Sequence, residues 1–183
     1  WLSVRPGAIV TTDVLYLGVN GQATYNLNDG VLIVGDLDDA ASRSILNING
    51  GTLVPAAPVA TTYDVDDLNV GTGGLTGSHD TGASGVGHTY DVNNEMYVGN
   101  TGGTGTFTIR EGTLRINDAP HNYGDNELHV GANGGTGTLN ITGTAFVDLY
   151  WDLMLGEGAG GLGVVIHDSG AFRLDTDGWI MVG

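Results

Sequence analysis

"NGGTGTLNITGTAFVDL" (133–149) decides the fold, because "NTGGTGTFTIREGTLRI" (100–116) precedes it in nearly the same letters. One such stretch reads as a Gly-rich loop. Two in register read as a repeat. With "TFTIREGTLRI" (106–116) as template, "SILNINGGTLV" (44–54) places Leu46, Ile48, Gly51 and Leu53 under Phe107, Ile109, Gly112 and Leu114. "TYNLNDGVLIV" (24–34), "TLNITGTAFV" (138–147), "GVVIHDSGAFRL" (163–174) and "LSVRPGAIV" (2–10) follow the same outline.

A second element follows each copy or pair of copies. It reads "DVLYLG" (13–18), "DDLNVG" (66–71), "NEMYVG" (94–99), "NELHVG" (126–131), "WDLMLG" (151–156) and "GWIMVG" (178–183). From Gly18 through Gly71, Gly99, Gly131 and Gly156 to Gly183, the final glycines lie 53, 28, 32, 25 and 27 residues apart. The first interval holds two copies of the first element, so the expected period is roughly 25–32 residues.

Each unit holds three short alternating runs. In one unit these are Phe107/Ile109, Leu114/Ile116 and Leu128/Val130, with Thr108, Arg115 and His129 in the opposite phase. Alternation marks half-buried strands, and Gly between runs permits a sharp corner. A single coil of this size cannot bury its own inner face, whereas stacked coils share one core. The expectation is an all-β parallel β-helix, a β-solenoid of about seven three-strand coils, forming one domain over 1–183. Stretches 54–67 and 72–91 are the least regular and are expected to bulge outward as loops.

On this reading "GGTG" is a corner and "TLNI" a strand. A phosphate cradle would need a helix after the glycines, usually with a Lys. The chain has 33 Gly, five Lys plus Arg (all Arg), 21 Asp plus Glu, no Cys and a net charge of −16. That charge opposes nucleic acid and anionic lipid, leaving cations, glycans or a second copy as partners. No apolar run is long enough for a membrane-spanning helix.

"VGNTGGTGTFTIREGTL" (98–114) and "VGANGGTGTLNITGTAF" (130–146) resemble the autotransporter-associated β-strand repeats. The resemblance is strongest from Met96 to Leu149. It implies a secreted or surface-exposed bacterial β-helix used as stalk, passenger or fibre, and it implies no catalytic residues. The calcium-binding nonapeptide roll is a different family, G-G-x-G-x-D-x-U-x. Here Phe107 and Leu139 stand where its metal-binding Asp would be.

Acidic residues gather at the corner before the third strand. "DLDD" (36–39) and "DVDD" (64–67) repeat 28 residues apart, so Asp36, Asp38 and Asp39 are expected to superpose on Asp64, Asp66 and Asp67. Such a column is a candidate Ca²⁺ site, since Ca²⁺ takes 6–8 oxygen ligands; the competing reading is solvated turn Asp. Arg115 and Arg173 flank Asp148 in an outward ladder, and Arg5 and Arg110 occupy equivalent positions. His79 in "SHD" reads as a solvated loop residue, and "HDS" (167–169) forms no triad because adjacent side chains diverge. Tyr150, Trp1, Trp151 and Trp179 read either as corner packing or as a glycan-binding strip. Asn140 in "NIT" is an N-glycosylation sequon.

Neither end reads as capped: "WLSVRPGAIV" opens as strand and "DGWIMVG" stops on an apolar run. Either the chain is cut from a longer solenoid, or Trp1, Leu2 and Val4 of one copy meet Trp179, Ile180 and Val182 of another. The second arrangement is heterologous and makes a filament. The expected function is a non-enzymatic structural subunit of an extracellular or cell-surface fibre, with no cofactor unless Ca²⁺. The alternative is an adhesin stalk binding glycans through the two irregular stretches. A lyase or hydrolase would need a groove of carboxylates with an Arg.

Overall fold

The structure, a computed structural model, describes all residues except 1, 19–20, 40–42, 57–59, 85, 117–125 and 176, and only the backbone of 2, 39, 83 and 84. Three parallel sheets run along a β-solenoid, and the described residues contain no α-helix, only a 3-10 turn at Thr81–Ser84. Sheet 1 stacks β1 (Leu2–Val4), β3 (Ala23–Leu27), β5 (Ser44–Ile48), β8 (Asp67–Thr72), β11 (Met96–Asn100), β14 (Leu128–Ala132), β17 (Leu153–Leu155) and β20 (Ile180–Val182). Sheet 2 runs from β2 (Ile9–Leu17) through β4 (Val31–Asp39), β7 (Thr62–Val65), β10 (His88–Val92), β13 (Gly112–Ile116) and β16 (Phe146–Leu149) to β19 (Ala171–Leu174), with β6 (Thr52–Pro55) also paired to β4. Sheet 3 holds β9 (Thr76–Asp80), β12 (Thr104–Ile109), β15 (Thr136–Ile141) and β18 (Leu162–His167). Eight strands in sheet 1 make a stack about 34 Å long at about 4.8 Å per strand.

Alternation within each strand puts one phase inside. Leu68, Met96 and Leu128 lie opposite one another in sheet 1, Phe107 and Leu139 in sheet 3, and Leu114 and Val147 in sheet 2; all are buried. These columns form one continuous hydrophobic core. No coil could build it alone, which is why the repeat is the stable unit.

Coil length departs from the expected period at the N-terminal end. Leu2 lies opposite Tyr25, Tyr25 opposite Leu46 and Leu46 opposite Leu68, so these coils take 23, 21 and 22 residues. The next four steps, Leu68 to Met96, Leu128, Leu153 and Ile180, take 28, 32, 25 and 27. The short coils save residues by merging two strands. Strand β4 pairs with β6 through Val31–Val34 and with β7 at Leu37, so one bent strand faces two short ones. Its bend is at Gly35, where a Cβ would stand 2.5 Å from the Asp13 carbonyl oxygen.

This geometry corrects the alignment of the first copies. "SILNINGGTLV" has the letters of "TFTIREGTLRI", yet β5 belongs to sheet 1 whereas β12 belongs to sheet 3. "DVLYLG" lies on β2 of sheet 2, not in sheet 1 beside "DDLNVG". Arg5 and Arg110 are therefore not equivalent. The pattern strand, Gly corner, strand looks the same at every corner, so likeness of letters does not say which face a strand joins. The stretch 72–91 is also corrected: β9 and β10 make it a regular coil wall rather than a loop. Within 54–67, β7 is a wall strand and 57–59 lie outside the described residues.

The repeated glycines have two separate jobs. Thr101 and Gly102 have φ of 51° and 73°, and Asn133 and Gly134 have 49° and 78°. Gly103 N–H donates to the Asn100 carbonyl at 2.9 Å, and Gly135 N–H to the Ala132 carbonyl at 2.8 Å. Two successive positive φ values closed this way have the form of a type I′ turn, for which Asn-Gly is preferred. Thr101 is β-branched and strained there, where Asn is tolerated. Thr101→Asn should raise stability by about 1 kcal/mol, read as a higher urea midpoint with unchanged m-value. The second job belongs to Gly99 and Gly105, whose missing side chains let the backbones of adjoining coils pass in contact.

Candidate functional site

The corner between sheets 2 and 1 collects the polar residues singled out in the sequence. Ser44, Asp66, Asn94 and Asn126 each stand two residues before Leu46, Leu68, Met96 and Leu128, which are stacked opposite one another. All four are buried. Ser44 N–H donates to Asp66 Oδ2 at 2.6 Å, Asp66 N–H donates to Ser44 Oγ at 3.1 Å, and Asn94 N–H donates to the Asp66 carbonyl at 3.0 Å. The ladder stitches one coil to the next where the chain leaves sheet 2, and it satisfies backbone donors that strand pairing would otherwise leave. Its signal in the sequence is the recurrence of Ser, Asp or Asn two places before each of these stacked sheet-1 positions.

The expected acidic column is partly dismantled by this packing. Asp66 is fully buried and Asp67 nearly so, rather than solvated. Asp67 accepts from Arg43 Nε and Nη2, each at 3.3 Å, and from Asn94 Nδ2 at 2.5 Å. Leu37 lies opposite Tyr63, so Asp38 stacks beside Asp64, an offset of 26 residues rather than 28. Asp36 lies opposite Val14, and the Asp39 side chain lies outside the described residues. Asp64 does lie opposite Asp91, and its oxygen accepts from Asn93 Nδ2 at 2.6 Å. Burial pushes the Asp64 carboxyl up from its ordinary range; the Asn93 bond opposes this, while Asp91, Asp38 and Asp66 reinforce it. Among the described residues no three carboxylate or imidazole groups converge as a metal-ligand set.

The outer face of sheet 2 carries the expected ladder of charges. Asp91, Arg115, Asp148 and Arg173 lie opposite one another in successive coils. Arg115 Nη1 reaches Asp91 at 3.1 Å, and Arg173 holds Asp148 through two bonds of 2.6 Å. Arg110 pairs with Asp80 in the previous coil at 2.9 Å. Exposed pairs of this kind contribute about 0–1 kcal/mol each. They fix side-chain geometry more than they stabilise.

Three further placements differ from expectation or refine it. His79 is buried on β9, and its Nε2 meets the Tyr90 hydroxyl at 2.7 Å. Tyr90 also stacks on Tyr63 at 5.1 Å and meets Phe107 edge-on at 5.9 Å, so "SHD" is core rather than loop. His129 faces outward, as its phase implies, but is buried between Tyr97, whose ring stacks 4.3 Å away, and Glu157, whose carboxylate is 2.7 Å from Nδ1. Tyr150, Trp151 and Trp179 are 41%, 39% and 70% exposed, against the corner-packing reading. His121, Asp118, Asp125 and Trp1 lie outside the described residues. Asn140 faces outward, and its Nδ2 donates to Thr108 Oγ1 at 3.1 Å; an N-glycan would displace that bond.

The two ends of the stack remain. At one end β20 is the last strand of sheet 1, and Ile180 and Val182 are 56% and 78% exposed. They stand in register with Leu153 and Leu155 and continue their columns. At the other end β1 is the first strand of sheet 1 and β2 the first of sheet 2, with Ile9, Val14 and Tyr16 exposed. Comparison of the chain with protein-family models, with curated proteins and with solved structures found no match.

Proposed function

We propose that this chain is a structural element of a bacterial extracellular or cell-surface fibre, a β-solenoid rod that lengthens by stacking end on end and performs no chemistry of its own. The observation that carries the reading is the unbroken parallel stacking of sheet 1, in which every strand offers its edge and its apolar column to the next. The column through Val130 and Leu155 reaches Val182 at one edge, and the column through Ile48 and Leu27 reaches Val4 at the other. Laying β1 of a second copy on β20 continues the column, Val on Val, and pairs two rows of backbone groups that an edge strand leaves unmet. Burying the part of Ile180 and Val182 still exposed adds about 1–2 kcal/mol for each side chain. The contact is heterologous and does not close on itself, so its product is a filament. The glycan-binding stalk reading depends on protruding loops at 54–67 and 72–91, and half of those residues lie in wall strands.

Negative-stain microscopy of the purified chain tests the proposal, with calcium and with chelator. Long thin fibres are expected in both conditions, because Asp66 and Asp67 already have partners within the protein. The double variant Ile180→Lys/Val182→Lys, altered only at exposed positions, should give short rods and no fibres. Wild-type rods that stay short at high concentration, or fibres that form equally in the variant, would sink the idea. Fibres lost only in chelator would return the acidic corner to consideration as a cation site.

A further inference from the structure

Sheet 2 and the corner that follows it change character over the last coils. The residues after β10 are Asn93 and Asn94, both buried and engaged with the coil below. The corresponding residues after β16 are Tyr150 and Trp151. They turn outward instead, with ring centroids 6.0 Å apart in an edge-on arrangement. Trp151 belongs to the coil before the last, so a further coil stacked on β20 would not lie directly upon it. Two large aromatic rings held at the surface with no place in the core need another explanation.

Two adjoining depressions supply it. One, of about 220 Å³, is lined by Arg115, Asp148, Leu149, Tyr150, Arg173 and Asp175. The second, of about 70 Å³, is lined by Tyr150, Trp151, Asp175 and Asp177. Tyr150 and Asp175 line both, so the two make one groove across the corner, spanning three coils, or about 10 Å along the rod. Its lining combines two aromatic rings with carboxylates and guanidinium groups.

We propose that this groove binds a neutral polysaccharide, with a pyranose ring resting on the Trp151 indole, Tyr150 flanking it, and hydroxyl groups donating to Asp175 and Asp177. A pyranose presents an apolar C–H face and a rim of hydroxyls. It therefore asks for a flat aromatic surface beside planar polar groups. An anionic sugar fits worse. Arg173 already pairs with Asp148 and Arg115 with Asp91, so a uronate would have to compete with those carboxylates, and the chain carries −16 overall. An apolar peptide fits worse too, since most of the lining is charged. The groove is not lined by Ile180 or Val182, so its test does not depend on whether the chain forms fibres.

Isothermal titration of the full chain with soluble hydroxyethylcellulose, galactomannan and laminarin, and with polygalacturonate as the anionic probe, tests the proposal. Saturable heat is expected with at least one neutral polymer and none with polygalacturonate. Trp151→Ala should weaken binding at least 10-fold while far-UV circular dichroism and the thermal midpoint stay unchanged. Asp177→Ala, at an exposed position, should weaken it severalfold and gives a second variant with little risk to folding. Heat with none of the neutral polymers would overturn the proposal. So would binding of polygalacturonate alone, or binding that survives both substitutions.

Discussion

Gly105→Ala is expected to cost about 3 kcal/mol or more and to unfold the middle of the rod. A Cβ on Gly105 would fall inside the van der Waals envelope of the Val70 carbonyl in the previous coil and of the Gly99 amide in its own. Both obstacles are backbone, held by parallel pairing on either side, so neither can swing aside as a side-chain tip would. Gly77, Gly137 and Gly163 stand in register with Gly105 and meet the same obstruction. Gly102→Ala is the control. Its φ is positive, at 73°, but nothing lies within 4 Å of its Cβ. It should cost only the backbone strain, about 1 kcal/mol. Urea unfolding followed by far-UV circular dichroism separates the two. Equal losses for both variants would mean that the glycines serve conformation alone and that the coils do not touch at this corner.

Acid should weaken the rod through His79. Burial, opposed by Asp80 and reinforced by His88, lowers the imidazole to about 4 from its ordinary 6.5. The unfolded chain therefore binds a proton between pH 6.5 and 4 that the folded chain refuses. Stability from this group is complete above pH 6.5, falls through that window and levels off below pH 4. The total loss is up to about 3 kcal/mol. Asp64 acts with the opposite sign, because its raised carboxyl favours the folded state as pH falls, so the test is a difference between variants. His79→Leu with Tyr90→Phe removes the imidazole without stranding the Tyr90 hydroxyl, and Leu already fills the column at Leu139. Urea midpoints at pH 4, 5, 6 and 7 should fall steeply for the wild type and less for the double variant. Parallel curves would show that the imidazole is not the acid-sensitive group.

The two effects divide along the same line as the legibility of the chain. Gly105 sits in a motif that repeats letter for letter, and its place beside a corner is legible from those letters alone. His79 is harder to read. Its position lies opposite Phe107 in the column, but "SHDTGAS" has neither the letters nor the hydrophobicity of "TFTIREG". Burial there depends on Tyr90, eleven residues later, offering a hydroxyl at the right distance. Asp66 hides for a similar reason, since its partner Ser44 is one coil away.

What the sequence determined by itself was the parallel β-solenoid, the inward and outward phase of its strands, and the use of glycine at its corners. Those follow from alternation and from local backbone conformation, which the letters carry directly. What only the tertiary structure decided was which face each strand joins in the first three coils, which polar residues are buried, and which aromatic rings stand exposed. Stacking is made by backbone hydrogen bonds between residues 21 to 32 apart, and those bonds are blind to side-chain identity. A pattern shared by every corner cannot say which corner it occupies. The number of residues spent on each bend settles that, and Gly35 shows that a single bent strand can take the place of two.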